Sequence, residues 1–255
     1  NTGITSIGRI GLGIGVGSYT YSSARFFNDI ISLSDYDFLL VRDEESAKRI
    51  IRYGFSYTLR IATDLAFLKQ YWLSDSEISG SERNCVGFIL RDWSYDNQID
   101  FDAIEQTAQS LQRSGIPVLF FSFDGNTDRF YKERFSNFSM IEWNPERITV
   151  TEFVQKLKQC KLIVTSRAHG AILSACLNIP SVCLAIEEKL VKVSEMLAKS
   201  SVLIQMPIQA SELTQVVLHQ FRKEGLEECV REDVRLNQIV MEAGIVSLKE
   251  FLKGN

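Results

Sequence analysis

The stretch from Lys161 to Leu177 limits what this chain can fold into more than any other. An apolar run, Lys161-Leu162-Ile163-Val164, ends in the polar turn Thr165-Ser166-Arg167. It then passes without a spacer into the helix-forming segment Ala168 to Leu177. A short apolar run feeding a helix through a tight turn is the carboxyl end of a strand in an α/β sheet, where ligands bind. The turn carries Arg167 and, two residues on, His169, one of only two histidines in the chain. An anion placed there would meet a guanidinium, an imidazole and the positive end of a helix together.

The rest of the sequence repeats the alternation. Arg9 to Val16 and Asp37 to Val41 read as strands, and Leu59 to Leu68 contains another strand end, with Asp64 after Ile61-Ala62-Thr63. Ser23 to Leu33 and Arg42 to Tyr53 have helical spacing, and Gly54 sits where a helix C-cap belongs. Gly15-Val16-Gly17-Ser18 follows the first strand and reads equally as a tight turn or a binding loop; it lacks the GxGxxG spacing of a dinucleotide site. Arg42 is expected to pair with Asp43 rather than line a cleft. Residues 74–84 are polar and Ser-rich without apolar periodicity, which marks a linker. A second series follows: strands at Val86–Leu90, Val118–Phe123, Lys161–Val164, Ser181–Ile186 and Val202–Gln205, with helices between them. Two amphipathic helices, Ser211–Arg222 and Leu226–Leu252, close the chain.

Strands and helices in strict turn define an α/β fold with parallel sheets. The expected architecture is GT-B-like: two Rossmann-like domains facing a cleft. The expected division is residues 1–73 as the remainder of an N-terminal domain, 74–84 as linker and 85–255 as the C-terminal domain. The chain opens Asn1-Thr2-Gly3 without a methionine and soon enters an apolar strand, so the first domain is expected to be incomplete.

Composition narrows the function classes. A formal charge of −4 over 255 residues argues against a broad nucleic-acid surface. No apolar run approaches the roughly 20 residues a membrane span needs. The five cysteines are scattered without CxxC spacing and read as buried thiols of a reducing compartment, the cytoplasm by default. Two histidines and no cysteine cluster give no metal site. His219, mid-helix, reads as structural.

Arg91 follows a strand as Arg167 does, so both are expected on one sheet edge. Guanidinium forks match phosphate and carboxylate, so two arginines and a histidine suit a dianion. Each residue also has an ordinary alternative: a surface ion pair for the arginines, a hydrogen-bonded structural role for His169. Asp92 reads as orienting Arg91. Glu187 and Glu188 read as ordinary helix starts, while Lys189 could add charge to the same site.

At these residues the chain resembles the polysaccharide pyruvyl transferase family. Ser166-Arg167-Ala168-His169-Gly170, with Ile179-Pro180-Ser181-Val182 and Lys189 downstream, is similar to the family's S-R-x-H-G segment and its surroundings. Val41-Arg42-Asp43-Glu44-Glu45-Ser46, Ala62-Thr63-Asp64-Leu65-Ala66-Phe67 and Ile89-Leu90-Arg91-Asp92-Trp93 follow the family's order. The family's Gly-rich N-terminal segment has no match here. The resemblance implies transfer of the enolpyruvyl unit of phosphoenolpyruvate to a sugar hydroxyl of a cell-surface polysaccharide or its lipid-linked precursor, giving a pyruvate ketal and phosphate. It implies His169 and Arg167 as catalytic, and Arg91, Ser166, Gly170 and Lys189 as substrate-binding. No cofactor is implied beyond the donor, and the expected place is the cytoplasm, at the inner face of the membrane. A nucleotide-sugar glycosyltransferase and a non-catalytic glycan-binding protein are the alternatives.

Overall fold

The computed structural model describes residues 8–16, 33, 35–52, 58–73, 83–91, 99–125 and 128–254. The expected helix at Ser23–Leu33 except for Leu33, the Gly17-Ser18 turn, Gly54, most of the linker, and Asp92-Trp93 lie outside the described residues.

The chain forms two compact units: residues 1–68 with 236–255, and residues 69–235. In the first, strands β1 (Ile10–Ile14), β2 (Phe38–Val41) and β3 (Thr58–Ile61) make a parallel sheet in that order. Helix α1 (Glu44–Arg52) follows β2. Every residue of β2 is buried, because the strand is covered on both faces. Leu39 and Val41 pack with Ala47 and Ile50 of α1. Phe38 and Leu40, pointing the other way as a pleat requires, pack with Met241, Ile245, Leu248 and Phe251.

The second unit is a six-stranded parallel sheet. In chain order it runs β4 (Cys85–Ile89), α2 (Phe101–Arg113), β5 (Val118–Ser122), α3 (Arg129–Arg134), β6 (Ser139–Glu142) and α4 (Val150–Leu157). Then come β7 (Cys160–Thr165), α5 (Ala168–Cys176), β8 (Ser181–Ala185), α6 (Glu188–Met196), β9 (Ser201–Gln205) and α7 (Ala210–Arg222). The strand order is β6-β5-β4-β7-β8-β9. Winding proceeds outward from β4 in one direction and from β7 in the other, so the topological switch falls between β4 and β7. On one face Val86, Phe88, Phe120, Val164 and Leu184 pack against Ile104, Ala108 and Leu111 of α2 and Leu213 and Val217 of α7. On the other, Ile89, Phe121 and Ile163 pack against Phe153, Val154 and Leu157 of α4.

Helix α8 (Leu226–Gly254) belongs to both units. The sequence-based division is therefore revised at two points. Residues 69–73 join the second unit, since Leu73 is buried in the α4 face of its core. Residues 236–255 return to the first, because its sheet needs apolar cover on the face that α1 leaves open.

Candidate active site

The carboxyl ends of β4 and β7 are tied together at the switch point. Ser166 donates its backbone N–H to the Ile89 carbonyl at 3.0 Å. Its buried hydroxyl accepts the Arg91 N–H at 2.7 Å and lies 3.2 Å from the Arg91 carbonyl. Ser166 thus fixes the backbone of Arg91, and its hydroxyl is spent on that clamp. Thr165 completes the turn: its hydroxyl accepts the Arg167 N–H at 2.9 Å and lies 3.0 Å from the carbonyls of Ile89 and Arg167.

Arg167 is the N-cap residue of α5. Its Nε donates to the Leu90 carbonyl at 3.0 Å, and Nη2 donates to Asp128. Asp128 has a fully buried side chain. Its other oxygen accepts the Ser122 hydroxyl and the N–H groups of Phe123 and Asp124, all at 3.0 to 3.1 Å. One carboxylate therefore gathers the end of β5, the start of α3 and the guanidinium beyond β7. Buried charge is stable only when paired and bonded in this way. A guanidinium has five N–H donors, and among the described residues Arg167 uses its Nε and one Nη2 bond on protein.

Asp128 was not legible as a site residue. Nothing in the sequence joins it to Arg167, 39 residues later; the one signal was its place in the turn after β5. Tyr131, also buried, donates its hydroxyl to the Phe121 carbonyl. Burial, reinforced by Asp128, raises that hydroxyl far above its ordinary pKa, so it remains a donor.

Arg91 is half-buried. Burial, and next the charge of Arg167, pull its pKa below the ordinary arginine value, while Glu187, Asp128 and Asp124 oppose the shift. A guanidinium disfavoured by burial and by a second one nearby is an arrangement an anion relieves. Glu187, N-cap residue of α6, makes no side-chain capping bond.

The structure places the other expected residues differently from one another. His169 is exposed in the first turn of α5. Gly170 is buried, and a Cβ there would overlap Thr165 Oγ1 and press on Ile89 Cγ2, so its glycine lets α5 rest on β4 and β7. Its N–H donates to the Arg167 carbonyl at 2.9 Å, within the helix turn. Lys189 is half-buried in the first turn of α6, on the same sheet edge. Among the described residues no His/Cys/Asp/Glu group could hold a metal ion.

In the first unit Arg42 meets Asp43 at 3.5 Å, the pairing expected, and Asp64 at 3.9 Å. A Cβ on Gly15 would overlap the Arg42 guanidinium, which lies against the backbone there. Both carboxylates also cap local structure: Asp43 accepts the Ser46 N–H and Asp64 the Ala66 N–H.

The fold is of the GT-B kind, an α/β architecture with two parallel-sheet units and cationic residues at a switch point. Among solved structures it is similar to the UDP-GlcNAc 2-epimerase of Methanocaldococcus jannaschii, with a TM-score of 0.56 and 15% identity over 89% of this chain and 68% of that one. A glycosyltransferase from Rickettsia africae gives a TM-score of 0.57 and 12% identity, over 94% and 70%. The GtfA/B complex gives 0.55 and 11%, over 90% and 48%. At such identities the likeness shows the fold alone, and the chain spans between about half and about 70% of these proteins' length. Curated protein sequences give no match. Residues 5–188 match the polysaccharide pyruvyl transferase family, and the chain belongs to it. The match includes Arg91, Asp128, Arg167 and His169 and ends one residue before Lys189. Among the described residues no helix is long and apolar enough to cross a membrane.

Proposed function

We propose that this chain transfers the enolpyruvyl unit of phosphoenolpyruvate to a sugar hydroxyl of a polysaccharide or its lipid-linked precursor, forming a pyruvate ketal and releasing phosphate. One observation carries the reading: within the family-matched segment, Arg91 and Arg167 are held near each other at the β4/β7 switch point, beside the helix start that bears His169. Fixed donors aimed at a charged donor substrate need no reorganisation when it arrives, which is the main source of electrostatic catalysis.

The donor carries a phosphate and a carboxylate on an enol carbon. His169 gives a proton to the methylene carbon, and the carbon bearing the phosphate becomes oxocarbenium-like. A sugar hydroxyl attacks that carbon and its proton returns to His169; a second hydroxyl closes the ketal, its proton leaving with the phosphate as the C–O bond to phosphate breaks. Arg91 and Arg167 bind the anionic groups, with the α5 dipole and Lys189 adding positive charge. Histidine suits the acid role because imidazole changes charge in the neutral range. The expected site of action is the cytoplasmic face of the membrane, where lipid-linked precursors present their sugars.

A second reading, a glycosyltransferase using a nucleotide sugar, draws on the fold and on the epimerase relative, which was solved with UDP-GlcNAc and UDP. Glu187 or Glu188 would have to grip a ribose, yet Glu187 lies close enough to Arg91 for its charge to act there. Thermal shift separates the two: phosphoenolpyruvate is expected to stabilise the protein by about 2.7 kcal/mol at a hundredfold excess over Kd. A response to UDP-GlcNAc alone would overturn the transferase reading. His169→Ala, at an exposed position, is expected to lower phosphate release by about 10²- to 10⁴-fold with an unchanged melting temperature.

A further inference from the structure

A cavity of about 530 Å³ opens at the carboxyl ends of β5 and β6, and no role above uses it. Its lining includes Phe123, Asp124, Glu142, Trp143, Asn144 and Glu146. Asp124 joins it to the anion site, because its N–H donates at 3.1 Å to Asp128, the carboxylate that holds Arg167. We infer that this cavity is the acceptor subsite and that it takes a neutral sugar ring.

The lining sets the ligand class. Among the described residues the lining carries three carboxylates and no cation, and Lys132, outside it, meets Glu142 at 2.9 Å and donates to the Gly125 carbonyl at 3.3 Å. A phosphate or carboxylate entering here would be repelled, so the cavity does not suit the donor. Hydroxyl groups fit it: carboxylates accept from them, and an amide donates to them. Asn144 supplies that amide. Its Oδ1 accepts the Glu146 N–H at 2.9 Å, and among the described residues its NH₂ has no partner.

The two aromatic residues supply apolar surface for the C–H face of a ring. Both are half-buried, and each packs edge-on against Phe153, with centroids 5.4 Å away for Phe123 and 5.6 Å for Trp143. Their positions are fixed by the core beneath. Gly125 belongs to the same design: a Cβ there would overlap the Glu142 carboxylate and displace it. A polyol with one apolar face is the ligand that answers acceptors, a donor and aromatic walls at once.

The assignment of this sugar as acceptor rests on the transferase reading; binding of the sugar does not, and the test uses that difference. Methyl β-D-galactopyranoside, methyl N-acetyl-β-D-glucosaminide and methyl β-D-glucuronide serve as probes, followed by saturation-transfer NMR on the whole chain without donor. At least one neutral glycoside is expected to show transfer, and the uronide none. Trp143→Ala and Asn144→Ala are each expected to weaken that binding about tenfold, the value of one lost contact. Asn144→Ala covers the case in which Trp143→Ala unfolds the β5–β6 edge. Neither variant is expected to change the shift in melting temperature given by phosphoenolpyruvate.

Binding of no neutral glycoside, preference for the uronide, or unchanged affinity in Asn144→Ala would each overturn the subsite. Glycoside binding that survives while phosphoenolpyruvate fails to stabilise the protein would sink the transferase reading and leave a neutral-sugar site standing.

Discussion

At the scale of single residues, Arg167 has two duties that must be separated before activity data mean anything. Its guanidinium is the only counter-charge within bonding distance of the buried Asp128 among the described residues. Arg167→Ala should therefore cost about 3–5 kcal/mol of stability, since it strands a carboxylate in the interior. Asp128→Asn combined with Arg167→Met should lose much less than the sum of the single changes. Urea unfolding of the four proteins measures this cycle, and additive losses would show that the pair is uncoupled. Loss of activity in Arg167→Ala alone is then weak support for a catalytic role. Arg91 is the better probe, because Ser166 binds its backbone and not its side chain. Arg91→Met keeps the clamp, and we expect phosphate release to fall about 10²-fold or more with little change in unfolding midpoint. The strand-end positions of Arg91 and Arg167 and the helix-start position of His169 were legible in the sequence, because a strand end beside a helix start is a local pattern. Asp128 was not, since its partners are assembled by the fold.

At the scale of elements, α5 is held by devices at both ends. Gly170 allows its first turn to approach Thr165. At its other end Asn178 has φ of +60°, and two bonds close the helix: the Ile179 N–H to the Ser174 carbonyl at 2.9 Å and the Asn178 N–H to the Ala175 carbonyl at 2.8 Å. This is a left-handed C-cap. Arg83 donates to the carbonyls of Asn178 and Leu177, each at 2.7 Å, and satisfies two groups the helix end leaves open. Among the described residues the Asn178 side-chain oxygen is buried without a partner. Asn178→Gly should thus stabilise the protein by up to about 1 kcal/mol, since glycine adopts this φ freely and leaves no orphan oxygen. Asn178→Val should cost about 1–2 kcal/mol or more. Thermal unfolding decides, and equal melting temperatures for the two variants would remove the cap from the account. β6 was not readable from sequence, because Ser139 and Glu142 at its ends are exposed and leave an apolar run of only Met140-Ile141.

At the scale of the whole molecule, α8 is the element whose pattern misled. An amphipathic helix shows that one face is buried without saying against what. Its first part serves the second unit, where Asp233 accepts the backbone N–H groups of Lys199 and Ser200 and the Ser200 hydroxyl. Its later part covers β2 of the first unit, where Thr63 donates to the Asn237 carbonyl at 3.0 Å and a Cβ on Gly244 would press on Leu40 at 2.6 Å. Stability of the first unit should therefore depend on the last twenty residues more than on any local feature. Ending the chain at Arg235 would expose Phe38 and Leu40 and should unfold residues 8–68, while residues 69–235 keep their sheet and core. Limited proteolysis with mass spectrometry would read this as rapid loss of β1–β3 and survival of a fragment spanning β4–β9. The single change Met241→Ala, at a fully buried position, should act in the same direction by about 2–5 kcal/mol. If the truncated chain resisted protease over β1–β3, the first unit would be shown to fold without α8.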